Sequence, residues 1–208
     1  MRLALAWSGG KDSALALQAL RRDGVEPDAL LTTVTEGYER ISMHGVRRSL
    51  LVAQARAVGV PLLEVRIPQR CTNEVYDERM AAANADLDAV AFGDLFLEDV
   101  RAYREERLGR VGKKALFPLW GSDTAALARR FLADGFRATL CCVDPRRLDG
   151  SFAGRAFDPD ELPAGVDPCG ENDEFHTFVH AGPIFDAAVP IEVGEPVERD
   201  GFAFCDLR

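Results

Sequence analysis

Near the amino end, Ser8-Gly9-Gly10-Lys11-Asp12-Ser13 gathers two hydroxyls, two glycines, a cation and a carboxylate into six consecutive residues. Gly9 and Gly10 permit positive φ and let an anion approach the backbone with no Cβ in the way. Successive N–H groups of such a turn point into one concavity that suits an anion. A helix starting there adds its N-terminal partial positive charge. Ser8 and Ser13 offer hydroxyl donors, and Lys11 offers a full charge. Asp12 repels a bare anion, but it makes sense as a ligand to, or orienter of, a Mg²⁺ that bridges phosphate oxygens. The chemistry expected here is the grip of a polyphosphate together with its metal. Neither common glycine-rich alternative fits. The Walker loop needs a glycine five residues before Gly10, where Leu5 stands, and a Ser or Thr where Asp12 stands. The dinucleotide fingerprint G-x-G-x-x-G is absent.

The elements that must position this segment follow from periodicity. Leu3 to Trp7 reads as a short buried strand, and Asp12 to Arg22 as the helix after the glycine turn. Asp28 to Thr35, Leu62 to Ile67, Ala89 to Phe92, Lys114 to Phe117 and Phe136 to Val143 read as further strands. Helical patterns cover Gly45 to Val58, Asn73 to Asn84, Asp99 to Arg110 and Thr124 to Ala133, the last with Ser122 as its N-cap. Strands alternating with helices predict an α/β fold: an open parallel sheet with helices on both faces, Rossmann-like. In such sheets ligands sit beyond the carboxyl ends of the strands, where Ser8 to Ser13 falls. After Asp144, Pro and Gly become frequent. Two domains are expected: residues 1–144 as a nucleotide-binding α/β unit, and 145–208 as a loop-rich C-terminal lobe on the substrate side. Within that lobe Val189 to Val193 and Val197 to Phe204 look like strands, with Asp200-Gly201 as a hairpin turn.

Composition narrows the partners. A net charge of -9 argues against a nucleic-acid binder, which spreads Lys and Arg over one face. Bound Mg-ATP needs only a few local cations and amides. Five cysteines, odd in number and without a C-x-x-C pair, suggest neither a disulfide framework nor a zinc site. No apolar run is long enough to cross a membrane and the start has no signal-peptide pattern, so a cytoplasmic location is expected. A homo-oligomer is compatible with everything read here.

Ser8 to Ser13 resembles the pyrophosphate loop of the ATP pyrophosphatase superfamily, whose members cleave ATP to AMP and pyrophosphate while adenylating a substrate. Three further stretches are similar to one branch, the diphthine–ammonia ligase family. They are Ile41-Ser42-Met43-His44-Gly45-Val46, Phe92-Gly93-Asp94 continuing through Glu98-Asp99-Val100-Arg101, and Gly170-Glu171-Asn172-Asp173-Glu174-Phe175-His176-Thr177. The resemblance implies the adenine nucleotide alpha hydrolase type of fold and a two-step amide synthesis. A carboxylate would attack the α-phosphorus of ATP, and ammonia or another amine would then displace AMP. It implies that Ser8, Gly9, Gly10, Lys11, Asp12 and Ser13 hold the β- and γ-phosphates, with Asp12 toward Mg²⁺. Gly93 and Asp94 would face the same crevice, Asp94 toward ribose, Mg²⁺-bound phosphate or the amine. The family's late motif reads Glu-Gly-Gly-Glu-Phe-Glu-Thr and is associated with the carboxyl substrate. Glu171, Glu174, Phe175 and Thr177 match it; Asn172 and Asp173 replace the glycines, and His176 replaces the last glutamate. These departures leave the carboxylate unnamed.

Glu171, Glu174 and His176 are accordingly read as a catalytic or substrate-binding loop. His44, Arg101 and Arg155 are further candidates, against the plainer readings of a capping residue, a solvated helix face and a surface loop. Two other functions stay open: a tRNA-modifying enzyme of the thiolating kind, for which Cys71 and Cys169 would be needed, and a non-catalytic adenine-nucleotide sensor.

Overall fold

The computed structural model describes residues 1–41 and 45–208. The first half alternates as its periodicity requires: β1 (Leu3–Ala6), α1 (Lys11–Arg22), β2 (Ala29–Thr35), β3 (Arg40–Ile41), α2 (Arg48–Val58), β4 (Leu62–Ile67), α3 (Asn73–Ala83), β5 (Ala89–Ala91), α4 (Glu98–Arg110) and β6 (Lys114–Leu116). β4, β2, β1, β5 and β6 pair in parallel in that spatial order, and the two-residue β3 adds an antiparallel extension to the end of β2. β1 lies in the middle, so the turn that follows it opens at the centre of the sheet's carboxyl edge.

The sheet is covered on both faces. Leu3, Leu5 and Trp7 turn toward the core shared with α1 and α2, while Ala4 turns toward a smaller core beneath α3 and α4, the two-residue alternation of a strand. α1 buries Leu15, Leu17 and Leu20, and its Asp12 in the first turn and Arg21 and Arg22 in the last complement the helix dipole. α2 starts at Arg48, because Gly45 is already in the left-handed region at φ +68° and precedes the helix. It ends on Gly59 at φ +78°, where a left-handed cap favours glycine.

The second half departs from the expected layout. α5 (Thr124–Ala133) is capped by Asp123, whose Oδ1 accepts from Ala126 N at 2.7 Å, rather than by Ser122. β7 (Arg137–Val143) does not continue the parallel sheet. It joins β8 (Phe175–Ala181), β9 (Val193–Arg199) and β10 (Phe202–Leu207) in an antiparallel sheet of order β8-β7-β10-β9. A buried apolar strand looks the same in either setting, and only its partners decide. The change of sheet thus comes one strand before the compositional change at Asp144. The expected strand at Val189 to Val193 is irregular until Val193, whereas Asp200-Gly201 forms the expected hairpin turn, with φ +54° and +82°. The larger core runs without a break from Leu5 and Leu51 through Phe131 and Phe136 to Leu140, Val179 and Ala203, so both sheets share it.

An ionic tie supplements that core. Asp206 on β10 accepts from Arg40 at 2.9 Å, from Arg47 at 3.0 and 2.6 Å, and from Arg208 at 3.1 Å. Arg47's hydrogen bonds, against partial burial and with help from Arg40 and Arg208, hold the carboxyl well below the usual carboxylate range. A depressed carboxylate stabilises the fold above its unfolded value of about 3.9 and loses that contribution as pH falls toward its folded value. Asp206→Asn is therefore expected to cost about 2 kcal/mol at pH 7. Thermal melts should show the gap to wild type constant above about pH 5 and closing below about pH 4.

Candidate active site

The turn after β1 is shaped from outside. Gly9 sits at φ +79°, and a Cβ there would lie 2.6 Å from Gln54 Oε1, so this position needs glycine on both counts. Gly10 does not take the positive φ expected of it; it is extended (φ -87°, ψ 175°) and forms the N-cap of α1 without a side-chain cap. The Gly9 carbonyl accepts from Val179 N of β8 at 2.9 Å and from Gln54 Nε2 of α2 at 3.0 Å. Gln54 is fully buried and also donates to Val179 O, while its Oε1 accepts from Trp7 Nε1 at 3.1 Å. A buried amide left without partners would cost roughly 1–3 kcal/mol, so this one is tied on both ends. Lys11 N donates to Thr177 Oγ1 at 3.0 Å and Gly10 N to Ser8 Oγ at 3.3 Å. Two amides expected to face an anion are thus engaged within the protein. Ser13 Oγ donates to Gly10 O at 2.8 Å and lies 3.5 Å from Ser8 Oγ.

Lys11 is 2% exposed, a placement that a cation tolerates only with partners. Its Nζ donates to both Asp12 oxygens, at 2.9 and 2.8 Å, and to the Cys169 carbonyl, and it stands 5.6 Å from the centre of the Phe175 ring. Burial alone would depress its pKa, but Asp12, Cys169 and Glu171 outweigh that and hold it above the ordinary value. Asp12 moves up as well: burial raises it, more than Lys11 lowers it.

The expected late loop divides in two. Glu171 comes to the site: its Oε2 accepts from Leu95 N at 3.2 Å, and burial, with Asp12 next, raises its pKa to about 7. Glu174 does not; it is 3% exposed and binds its own loop, accepting from Asp167 N at 3.1 Å and from Asn172 N and Nδ2 at 3.0 and 3.1 Å. This also accounts for the departures from the glycine pair. Asp173 holds the left-handed conformation at φ +63°, which Asp tolerates better than most residues, and the Asn172 side chain gains a partner in Glu174. His176 lies in β8 rather than in a loop. Strand alternation sets it opposite Phe175 and Thr177, in register with Cys142 and in a separate hollow of about 270 Å³ that also includes Tyr38 and Phe202. Burial lowers its pKa, against the pull of Asp173.

Gly93 has a packing reason: a Cβ there would meet the Asp12 carbonyl carbon at 2.8 Å, so its absence lets the end of β5 close on the first turn of α1. Asp94 is engaged by Arg104 through two hydrogen bonds, at 2.6 and 3.1 Å, and Arg104 stacks on Phe92. Arg101 packs over Trp120 and Phe117 and pairs with Glu105, and Arg155 is exposed on its own Ser151 and Phe152. His44 lies outside the described residues. Among the described residues no group of three His, Cys, Asp or Glu side chains converges as a metal site. Mg²⁺ commonly binds through one or two carboxylates plus phosphate oxygens, so Asp12 suits a metal that arrives with its nucleotide. Beside Ser8, a cleft of about 560 Å³ opens between the sheet and α3 and α4, walled by Thr33, Tyr76, Met80 and Phe92, of a size that takes a nucleoside. No helix among the described residues is long and apolar enough to cross a membrane.

Gln54 and Asp167 carry this geometry and were not singled out by sequence, whereas Thr177 was read only as a match to the late motif. Asp167 accepts from Cys169 N at 2.9 Å and from Thr124 Oγ1 at 2.7 Å, tying the late loop to α5. Gln54 left one readable sign, an amide within the buried stripe formed by Leu50, Leu51, Ala55 and Val58.

Residues 1–115 match the family model for the diphthamide synthase N-terminal domain, and residues 123–207 match that for the diphthamide synthase C-terminal domain. The chain is 26% identical to the diphthine–ammonia ligase of Schizosaccharomyces pombe, an alignment covering 97% of this chain and 38% of that protein. It therefore spans well under half of that relative's length. Among solved structures it is similar, with a TM-score of 0.49 and 17% identity, to a chain described as a "predicted subunit of tRNA methyltransferase" from Methanocaldococcus jannaschii, covering 68% of this chain and 80% of that one.

The raised Glu171 carboxyl gives a direct check. Carbon-detected NMR titration should place its pKa near 7, and Asp12→Asn should bring it down toward the ordinary carboxylate range, because one neighbouring negative charge is gone.

Proposed function

The chain belongs to the diphthamide synthase family, and from that premise we propose that it is an ATP-dependent, AMP-forming ligase that amidates a carboxylate with ammonia. The observation that carries this reading is the glycine-turned loop at the centre of the sheet's carboxyl edge, where Lys11 and Asp12 open a helix beside a nucleoside-sized cleft. Ser8, Gly9, Gly10, Lys11, Asp12 and Ser13 hold the departing pyrophosphate. The cleft walled by Tyr76, Met80 and Phe92 takes the nucleoside. Lys11 trades the Cys169 carbonyl for a phosphate oxygen, and Asp12 is the carboxylate that would hold Mg²⁺. When bound there, Mg²⁺ would supply charge neutralisation for the leaving pyrophosphate.

The reaction balances in two displacements. The substrate carboxylate forms a bond to the α-phosphorus as the bond from that phosphorus to the β-bridging oxygen breaks. Ammonia then attacks the acyl carbon, AMP leaves, and one proton is lost to form the amide. The protein's share is positioning and charge stabilisation. Glu171 stands close to Lys11, Asp12 and Asp94, and Asp94 is itself held by Arg104. Glu174 acts at one remove, by holding the loop that presents Glu171, and His176, in its separate hollow, has no part in the reaction. Cys169, the cysteine nearest the loop, is a buried thiol pushed up to about 12 by burial, which disfavours a sulfur-relay role there.

Incubation with Mg-ATP, ammonium and fractionated cell extract should release AMP and pyrophosphate only with the fraction that supplies the acid. Asp12→Ala should slow that release by about 100-fold or more. ADP as the product would overturn the reading.

A further inference from the structure

We propose that Gln54 is a positioning residue for the nucleotide's phosphates, acting through Gly9 and coupling the phosphate loop to the second sheet. The inference rests on the phosphate-loop reading above and names the group that sets the loop's shape. Gln54 comes from α2, forty-five residues from Gly9 in sequence, and is 0% exposed. Its three hydrogen bonds reach three separate pieces of chain: the indole of Trp7 at the end of β1, the carbonyl of Gly9, and the carbonyl of Val179 on β8. Val179 N donates to the same Gly9 carbonyl at 2.9 Å, so the Gly9–Gly10 peptide is gripped from two elements at once. That peptide sets where Gly10 N and the first amides of α1 point. A Cβ at Gly9 would collide with Gln54 Oε1, so the amide and the glycine are fitted to each other.

A side chain of similar volume without hydrogen-bonding atoms would fill the space and release the grip. Gln54→Met is that variant. Leu51→Ala is the stability control, because Leu51 is equally buried on the same helix and belongs to the core alone. The full chain and both variants are titrated calorimetrically with Mg-ATP and, separately, with Mg-pyrophosphate, and their melting temperatures are measured alongside. Gln54→Met should bind both ligands about tenfold more weakly or worse, equivalent to about 1.4 kcal/mol. Leu51→Ala should melt earlier yet bind within about twofold of wild type, by the same arithmetic. Binding by Gln54→Met within about twofold of wild type would overturn the inference. Should that variant fail to fold, the wild-type protein supplies the test: the Trp7 indole N–H resonance should shift on saturation with Mg-pyrophosphate, and an unmoved resonance would overturn the inference. Failure of wild type to bind either ligand is a different result, which overturns the phosphate-loop reading and this inference with it.

Discussion

The carbonyl of Gly9 is the point on which the site depends. It accepts one hydrogen bond from the second sheet, through Val179 N, and one from α2, through Gln54. A glycine turn leaving a strand has wide conformational freedom, and freedom is costly where an anion must be met by fixed dipoles. The fold removes that freedom with β8, far away in sequence, whose Val179 N holds the Gly9 carbonyl and whose Thr177 hydroxyl accepts from Lys11 N (166 residues apart). The antiparallel sheet is therefore part of what fixes the loop after β1. Its packing on the shared core, through Val179, Leu140 and Ala203, is what keeps β8 in reach of the loop.

Charge follows from that enclosure. Lys11 is the cation at the centre, and around it stand Asp12, Glu171 and a backbone carbonyl, with Asp167 close enough to act on Asp12. Lys11 and Asp12 satisfy one another, and the Cys169 carbonyl takes a further Lys11 proton. A polyphosphate with its metal would offer Lys11 an anion, and Asp12 a cation, in place of each other. The same crowding leaves Glu171 undecided between its two forms near neutrality. A buried carboxyl in that condition can hold or release a proton at little cost.

Much of this was readable in the chain. The parallel half followed from alternation, and the turn between β1 and α1 from the two glycines that leave the strand. What could not be read were long-range pairings. β7 carries the apolar run of a buried strand, and nothing local says that its neighbours are β8 and β10. His176 reads as loop because glycine and acidic residues precede it, yet the two-residue period of β8 turns it away from Thr177. Glu171 and Glu174 match the family motif equally well. Burial separates them: one meets Leu95 and Lys11's surroundings, and the other holds up its own turn. Gln54 sits in a helix that reads as plain core. Its role exists only once β1, α2 and β8 meet.

The most direct test is a crystal structure of the chain with Mg²⁺ and α,β-methylene-ATP, in which the bond to be broken is blocked. The account predicts the triphosphate against Ser8 to Ser13, Lys11 turned from the Cys169 carbonyl to phosphate, and the Gly9 carbonyl still held by Val179 and Gln54. A nucleotide bound elsewhere, or a loop that leaves β8 to receive it, would contradict the account.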